Sequence, residues 1–351
     1  MNNPLQNAVC RLHAAHDLRV EQIAGDRPGP QQVLLRMQAG GICGSDLHYF
    51  LDGGFGPVRV REPIILGHEA SGIVEALGDG VSTLALGTLV AVNPSQPCGH
   101  CRFCNEGLPI HCLEMRFMGS AMRLPHEQGM FRETLAVNAA QCYPMGDLVT
   151  PGEAACCEPL SVCLHAVNQA GDIRGKRVLI TGAGPIGALT AAAARQAGAG
   201  EIIVTDLQDF ALATAMAMGA DRVVNVGSNG DALADLQIDK GMIDVAFECS
   251  AAPSAIRSAI ACVRPRGTII QVGVAGDTSV PLNAIVGKEI TYRGTQRFHA
   301  EFAEAARLIS TRTVDVRPII SGVYPLEKAD EAFAIASDRS RACKVQLTLG
   351  Q

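Results

Sequence analysis

KRVLITGAGPIG, residues 176–187, is the stretch that decides the fold. Val178–Thr181 is apolar and β-branched, as a buried strand requires, and an Ala-rich helical stretch, IGALTAAAARQAGA, follows the turn. Between them Gly182, Gly184 and Gly187 make a G-x-G-x-x-G turn. In such a turn the first glycine allows the tight bend and the second lets the backbone approach a pyrophosphate. The third permits close helix–strand packing, and the helix N-terminus faces the phosphates. The next strand, EIIVTD, ends in Asp206, whose carboxylate can accept hydrogen bonds from an adenosine ribose and repel a 2′-phosphate. No Lys or Arg follows before the next helix, so NAD is favoured over NADP. A helix N-cap is the other role open to Asp206, and it would leave NADP possible.

Working outward, strands at Asp221–Asn225, IDVAFEC and GTIIQVGV alternate with helical stretches, including one around Ala211–Met218 and one at GEAACCEPLSVCLHAVNQA. That alternation predicts an α/β fold with a doubly wound parallel sheet of the Rossmann type over residues 153–293. Residues 1–152 differ in texture. QQVLLRMQAGGIC, ASGIVEALGDG and GTLVAVNP read as short strands with tight turns, hence a β-rich unit. The tail, 294–351, carries helices in EFAEAARLIS and LEKADEAFAIAS and a closing strand in CKVQLTL, and is expected to rejoin the first unit.

The totals exclude several partners. A net charge of −6 and a pI near 5.9 argue against nucleic acid. Apolar residues make up 48% of 351, yet no uninterrupted apolar stretch is long enough for a membrane span. The start, MNNPLQNAVCRLHAAHDL, shows no secretory signal. Thirteen cysteines, an odd number, fit a reducing cytoplasm with thiolates reserved for metal better than a disulfide framework.

Cys98, Cys101, Cys104 and Cys112 form C-x2-C-x2-C-x7-C in a lobe at about residues 94–115, a ligand set for a closed, tetrahedral structural zinc. His100 and His111 lie in the same loop but are not needed. A second site is read at Cys43 in GGICGSD and His68 in LGHEASG, both in Gly-bounded turns where side chains can converge. A catalytic zinc takes three protein ligands and keeps one position open. Glu69 and Glu158 are the alternatives for the third, while Cys156, Cys157 and Cys163 are expected to be core thiols.

GGICGSDLHYF, LGHEASG, the four-cysteine lobe, EPLSV and TGAGPIG, in this order, resemble the zinc-dependent medium-chain alcohol dehydrogenases over essentially the whole chain. The glutamate of EPL is similar to that of the polyol (sorbitol) branch, and NPSQPCGHCRFC with MRFMGSAMRLPHEQGMF looks most like its idonate-oxidising members. The resemblance implies a GroES-like catalytic domain beside the Rossmann domain, two zinc ions per chain, NAD with NADP possible, and a homodimer or homotetramer. It implies zinc-site positions at Cys43, His68 and Glu69, with Glu158 at or next to the metal. Ser45 and His48 match a proton relay. Tyr49 and Arg297 match substrate contacts, and Gly182, Gly184, Pro185, Ile186, Gly187, Asp206, Val272, Gly273 and Val274 match the cofactor site. Phe210 and Phe298 depart from the pattern, standing where relatives carry arginine and tyrosine.

The substrate class implied is a sugar acid or polyol. An acid end needs a cation, for which Arg116, Arg123, His126 and Arg297 are the candidates, Arg116 and Arg297 foremost. Polyol or threonine oxidation on the same scaffold is the rival expectation, and a non-catalytic dinucleotide-binding relative the remote one.

Overall fold

The structure, a computed structural model, describes residues 6–227, 231–274 and 276–350. Arg177–Thr181 lies in the middle of a six-stranded sheet. The order is Arg222–Asn225, Glu201–Asp206, Arg177–Thr181, Ile243–Glu248, Val263–Gln271, Thr291–Gly294. Every neighbouring pair is parallel. The strand order reverses beside Arg177–Thr181, so a crevice opens beyond its carboxyl end, where the Gly-rich turn sits. Val178, Leu179 and Ile180 are fully buried, as a parallel strand covered on both faces must be. In the helix Pro185–Gln196 every residue from Gly187 to Ala194 is buried. Its small side chains let it lie close to the sheet on one side and to the helix Cys157–Gln169 on the other.

The second unit is built on a seven-stranded sheet. Its path is Cys142–Pro144, Leu89–Val92, Glu69–Leu77, Gln32–Gly41, Lys344–Thr348, Ile320–Pro325, with Thr134–Asn138 also paired to Gln32–Gly41. The closing strand Lys344–Thr348 runs antiparallel to Gln32–Gly41 and parallel to Ile320–Pro325. The tail therefore rejoins the first part of the chain. The fold is α/β: a doubly wound Rossmann sheet beside a β-rich unit.

Two local expectations change. GEAACCEPLSVCLHAVNQA is two helices, Pro151–Ala155 and Cys157–Gln169. Pro159 has no N–H to continue the hydrogen-bond ladder across Cys156, so the helix restarts there, with Glu158 in the new first turn. GGICGSD is not simply a turn. Cys43 caps the helix Gly44–Asp52, which places Ser45, His48 and Tyr49 on one short helix. Among the described residues no helix is long and apolar enough to cross a membrane.

Candidate active site

The strand Gln32–Gly41 delivers Cys43, and Gly67 delivers His68. Asp46, fully buried, ties the two loops together. Its Oδ2 accepts the Cys43 N–H at 3.0 Å and its Oδ1 the Gly67 N–H at 3.3 Å. Asp46 Oδ1 also lies 3.8 Å from His68 Nδ1. Gly67 has φ +93°, and a Cβ there would collide with the Phe131 ring, so only glycine serves. Glu69 opens the strand Glu69–Leu77 opposite Gly41. A Cβ on Gly41 would take the space of Glu69 Oε2. The ligand atoms of Cys43, His68 and Glu69 all lie within 4.8 Å of one another.

This cluster is crowded with acids. Burial, then Glu69, pushes the Cys43 thiol up to about 12. Burial, partly offset by His68 and then reinforced by Glu69 and Cys43, pushes the Glu158 carboxyl up to about 8. Lys344 is the buried cation beside them, 2.8 Å from Glu69 Oε1, 2.7 Å from Oε2 and 3.1 Å from the Ile42 carbonyl. Burial opposes its charge, but Glu69 and Cys43 hold the ammonium above the ordinary lysine range. Only Oε1 receives a well-directed hydrogen bond, and Oε2 is buried without one. A soft thiol, an imidazole and a carboxylate gathered in one buried cluster fit a divalent zinc ion, whose charge would relieve the crowding. Glu158 feels these charges but stays outside the three-ligand set, so the geometry favours Glu69 as the third ligand.

Replacing Lys344 by Met leaves the Glu69 charge unpaired. The expected cost is about 3–5 kcal/mol in metal-stripped protein, and less with zinc, where the ion takes over the neutralisation. Urea unfolding with and without chelator measures that difference.

At the second cluster, Cys101 Sγ is 3.6 Å from Cys104 Sγ and 3.9 Å from Cys112 Sγ. Zinc–sulfur bonds of about 2.3 Å at tetrahedral angles put sulfurs about 3.8 Å apart, so the spacing fits. Backbone N–H groups of Cys98, Cys101 and Glu114 point at the sulfurs of Cys112, Cys98 and Cys112, at 3.2–3.3 Å, which favours thiolates. His100 is exposed and its Nδ1 rests 2.9 Å from the Cys98 carbonyl.

Across from the metal cluster, the Gly-rich turn forms one wall of a cleft whose other wall is the β-rich unit. Ile42, Gly44, Gly184, Asp206 and Arg339 line it. Gly182 has φ +89°, and a Cβ on Gly187 would strike the Gly182 carbonyl. Asp206 is held at the lip by backbone donors: Ala183 N–H at 2.7 Å on Oδ2, and Leu207 and Gln208 N–H at 2.7 and 2.9 Å on Oδ1. A carboxylate so anchored, a turn open to phosphate and an N-terminal helix end together fit a dinucleotide.

Residues 29–147 match the alcohol dehydrogenase GroES-like domain, and residues 185–311 match the zinc-binding dehydrogenase domain. The chain is 40% identical over 316 residues to L-idonate 5-dehydrogenase (NAD(P)(+)) of Escherichia coli strain K12, covering 90% of this chain and 91% of that protein. It is 36% identical over 333 residues to sorbitol dehydrogenase of Macaca fascicularis, covering 93% and 92%. The crystal structure of the L-idonate 5-dehydrogenase from Escherichia coli K-12 MG1655 superposes with TM-score 0.93 at 37% identity, covering 99% of both chains. The chain belongs to the zinc-dependent medium-chain dehydrogenases, in their polyol branch. Zinc and a nicotinamide dinucleotide are its cofactors.

Around the metal cluster of this dehydrogenase, Ser45 has no hydrogen bond from its hydroxyl among the described residues, and His48 is exposed, with Nδ1 3.3 Å from Asp52. Tyr49 is buried and its hydroxyl accepts the Ala121 N–H at 3.2 Å. Arg297 stands with φ +46°, its guanidinium 4.0 Å over the Phe117 ring and 3.0 Å from Met122 sulfur. Burial lowers its affinity for the proton, while Glu158, Tyr49 and Cys43 raise it. The Phe117 ring also packs 5.5 Å from the His68 ring.

Three expected cations do not reach this cleft. Arg116 is exposed and bidentate to Glu127 at 2.7 and 3.0 Å. It adjoins Phe117 on one strand, so alternation turns it to the opposite face. Arg123 donates to the Glu114 carbonyl on the surface. His126 is buried with both ring nitrogens engaged, by the Arg123 carbonyl and the Arg61 N–H. Phe298 is buried, with its ring 5.6 Å from that of Phe302.

Of the cofactor positions, Val272 and Gly273 donate their N–H groups to the Glu248 carbonyl, and Val274 is exposed. Phe210 is exposed beyond Asp206. Cys156, Cys157 and Cys163 are core thiols. Asp46 and Lys344 were missed from sequence. The spacing Cys43-x-x-Asp46 is a helix-cap pattern that could have exposed the first, whereas nothing local marks Lys344.

Proposed function

We propose that this enzyme oxidises, reversibly, a secondary hydroxyl of a sugar acid, L-idonate to 5-keto-D-gluconate, with NAD as the preferred carrier. The observation that carries the reading is Arg297: a guanidinium stacked on the Phe117 ring, which itself packs against His68, with no carboxylate partner among the described residues. A fork so placed suits the carboxylate of an aldonic acid. The name of the 40% identical relative points the same way.

A zinc bound at Cys43, His68 and Glu69 supplies Lewis acidity, and the nicotinamide accepts the hydride. The protein's own groups do the rest. Cys43, His68 and Glu69 hold the site, with Asp46 fixing the His68 loop and Lys344 balancing Glu69. Glu158 and Tyr49 border the substrate side. Ser45 takes up the hydroxyl proton and passes it towards His48, whose exposed ring hands it to water. Arg297 fixes the acid end and so aligns the reacting carbon with the cofactor. Asp206, already anchored, accepts ribose hydroxyls and disfavours a 2′-phosphate.

The test is kcat/KM for idonate, gluconate, 5-ketogluconate, sorbitol, xylitol and threonine, each with NAD and NADP where reduction or oxidation applies. Idonate and 5-ketogluconate should lead. Arg297→Ala should lower kcat/KM for idonate about a hundredfold, chiefly through KM, and leave sorbitol within a few-fold. Equal losses on both substrates, or sorbitol leading in the intact enzyme, defeat the idonate reading.

The assembly this reading carries is a homodimer or homotetramer. Among the described residues Thr291–Gly294 has a neighbouring strand on one side only, and Val274 and Val286 are 80% and 75% exposed nearby in sequence. Light scattering tests it. All thirteen cysteines are free, in keeping with a cytoplasmic enzyme.

A further inference from the structure

Among the described residues, one cation lines the cleft between the Gly-rich turn and the β-rich unit. Arg339 comes from the turn between the helix Ala329–Ser337 and the strand Lys344–Thr348, and its guanidinium nitrogen lies 3.6 Å from where a Cβ of Gly184 would stand. Gly184 caps the helix Pro185–Gln196, so this is the place where the N–H groups of the turn meet a pyrophosphate. The two cations that follow it in the chain are already paired. Arg341 pairs with Asp338 at 3.0 Å, and Lys344 is held by Glu69. Asp338 also accepts from the Ser340 N–H and hydroxyl, which fixes the turn and leaves Arg339 without a carboxylate among the described residues. On the same wall as Arg339, Gly44 leaves open space, with nothing within 4 Å of a Cβ built there.

We infer that Arg339 is the cationic contact for the cofactor's pyrophosphate, supplied by the β-rich unit across the cleft from the Gly-rich turn. A helix end and a Gly-rich turn provide donors of partial charge, whereas the pyrophosphate carries full negative charge. An arginine fork opposite them supplies charge-assisted hydrogen bonds from the other side. Because the two walls belong to different units, the bound cofactor then holds them together. Arg339 is a binding residue and touches no reacting atom. The inference is independent of which alcohol is oxidised.

The experiment measures ADP and adenosine affinities of metal-replete wild type, Arg339→Ala and Arg339→Lys by displacement of NADH fluorescence. ADP retains the pyrophosphate and adenosine lacks it. For Arg339→Ala, ADP affinity should fall about tenfold with adenosine unchanged. Arg339→Lys should recover part of the loss, and the salt dependence of ADP binding should flatten in the Ala variant. Unchanged ADP affinity overturns the assignment, and so does an equal loss for adenosine. A loss found for 2′-AMP but not for ADP overturns it too, since it would place Arg339 at a ribose phosphate instead.

Discussion

Cys43→Ser should lower kcat by at least about a thousandfold while leaving NADH affinity within about twofold of wild type. The reason is a division of labour in space. Cys43 lies in the cluster with His68 and Glu69, whereas the dinucleotide wall is built from Gly182, Gly184 and Asp206 on the other sheet. A zinc ion lowers the pKa of a ligated water from 15.7 to about 7, and each unit is worth about 1.36 kcal/mol. Losing even a third of that effect costs about a thousandfold in rate. Serine keeps the size but not the soft thiolate, so metal content should fall from two zinc towards one. Metal analysis, steady-state kinetics and NADH fluorescence on the same preparation check all three. Full activity in the serine variant, or in chelator-stripped enzyme, would remove the basis for the proposed chemistry.

Cys101→Ser should do the opposite. It removes a ligand from the four-cysteine lobe, where Cys101 contacts both Cys104 and Cys112. That lobe has little apolar core of its own: Cys101, Phe103, Cys104 and Ile110 are only partly buried, and Leu108 and Leu113 are exposed. Its order must then come from the metal, as in other small zinc-held segments. A loss of about 3–5 kcal/mol corresponds to a fall of about 10 °C in the unfolding midpoint for a domain of this size. Turnover measured well below that midpoint should remain within a few-fold of wild type. Calorimetry and low-temperature kinetics separate the two clusters: the first variant loses chiefly rate, the second chiefly stability. A Cys101→Ser protein with an unchanged midpoint would mean that the lobe folds without zinc.

Much of the site was legible because its parts are contiguous in the chain. The four cysteines of the lobe occur within one short loop, and the glycine turn adjoins the strand and helix it joins. GHE places His68 and Glu69 side by side. The substrate side was less legible. Arg116 and Arg297 look alike as sequence, yet strand alternation sends Arg116 out to Glu127, and a left-handed backbone carries Arg297 over Phe117. His126 looked available and is instead spent on two backbone groups. The single helix expected over GEAACCEPLSVCLHAVNQA breaks because of one missing N–H, that of Pro159, and the break sets Glu158 at the start of a helix near the metal cluster.

The amino-acid order alone determined the alternation of strands and helices, the dinucleotide turn and the metal-ligand sets, because periodicity, glycine geometry and ligand spacing are short-range properties. Tertiary structure decided what those sets stand beside. Lys344 meets Glu69 only because the closing strand inserts next to Gln32–Gly41, and Arg339 meets Gly184 only because the two units face each other across a cleft. Pairing of charges in a dry interior depends on distance and burial between segments remote in the chain, and these are set by packing.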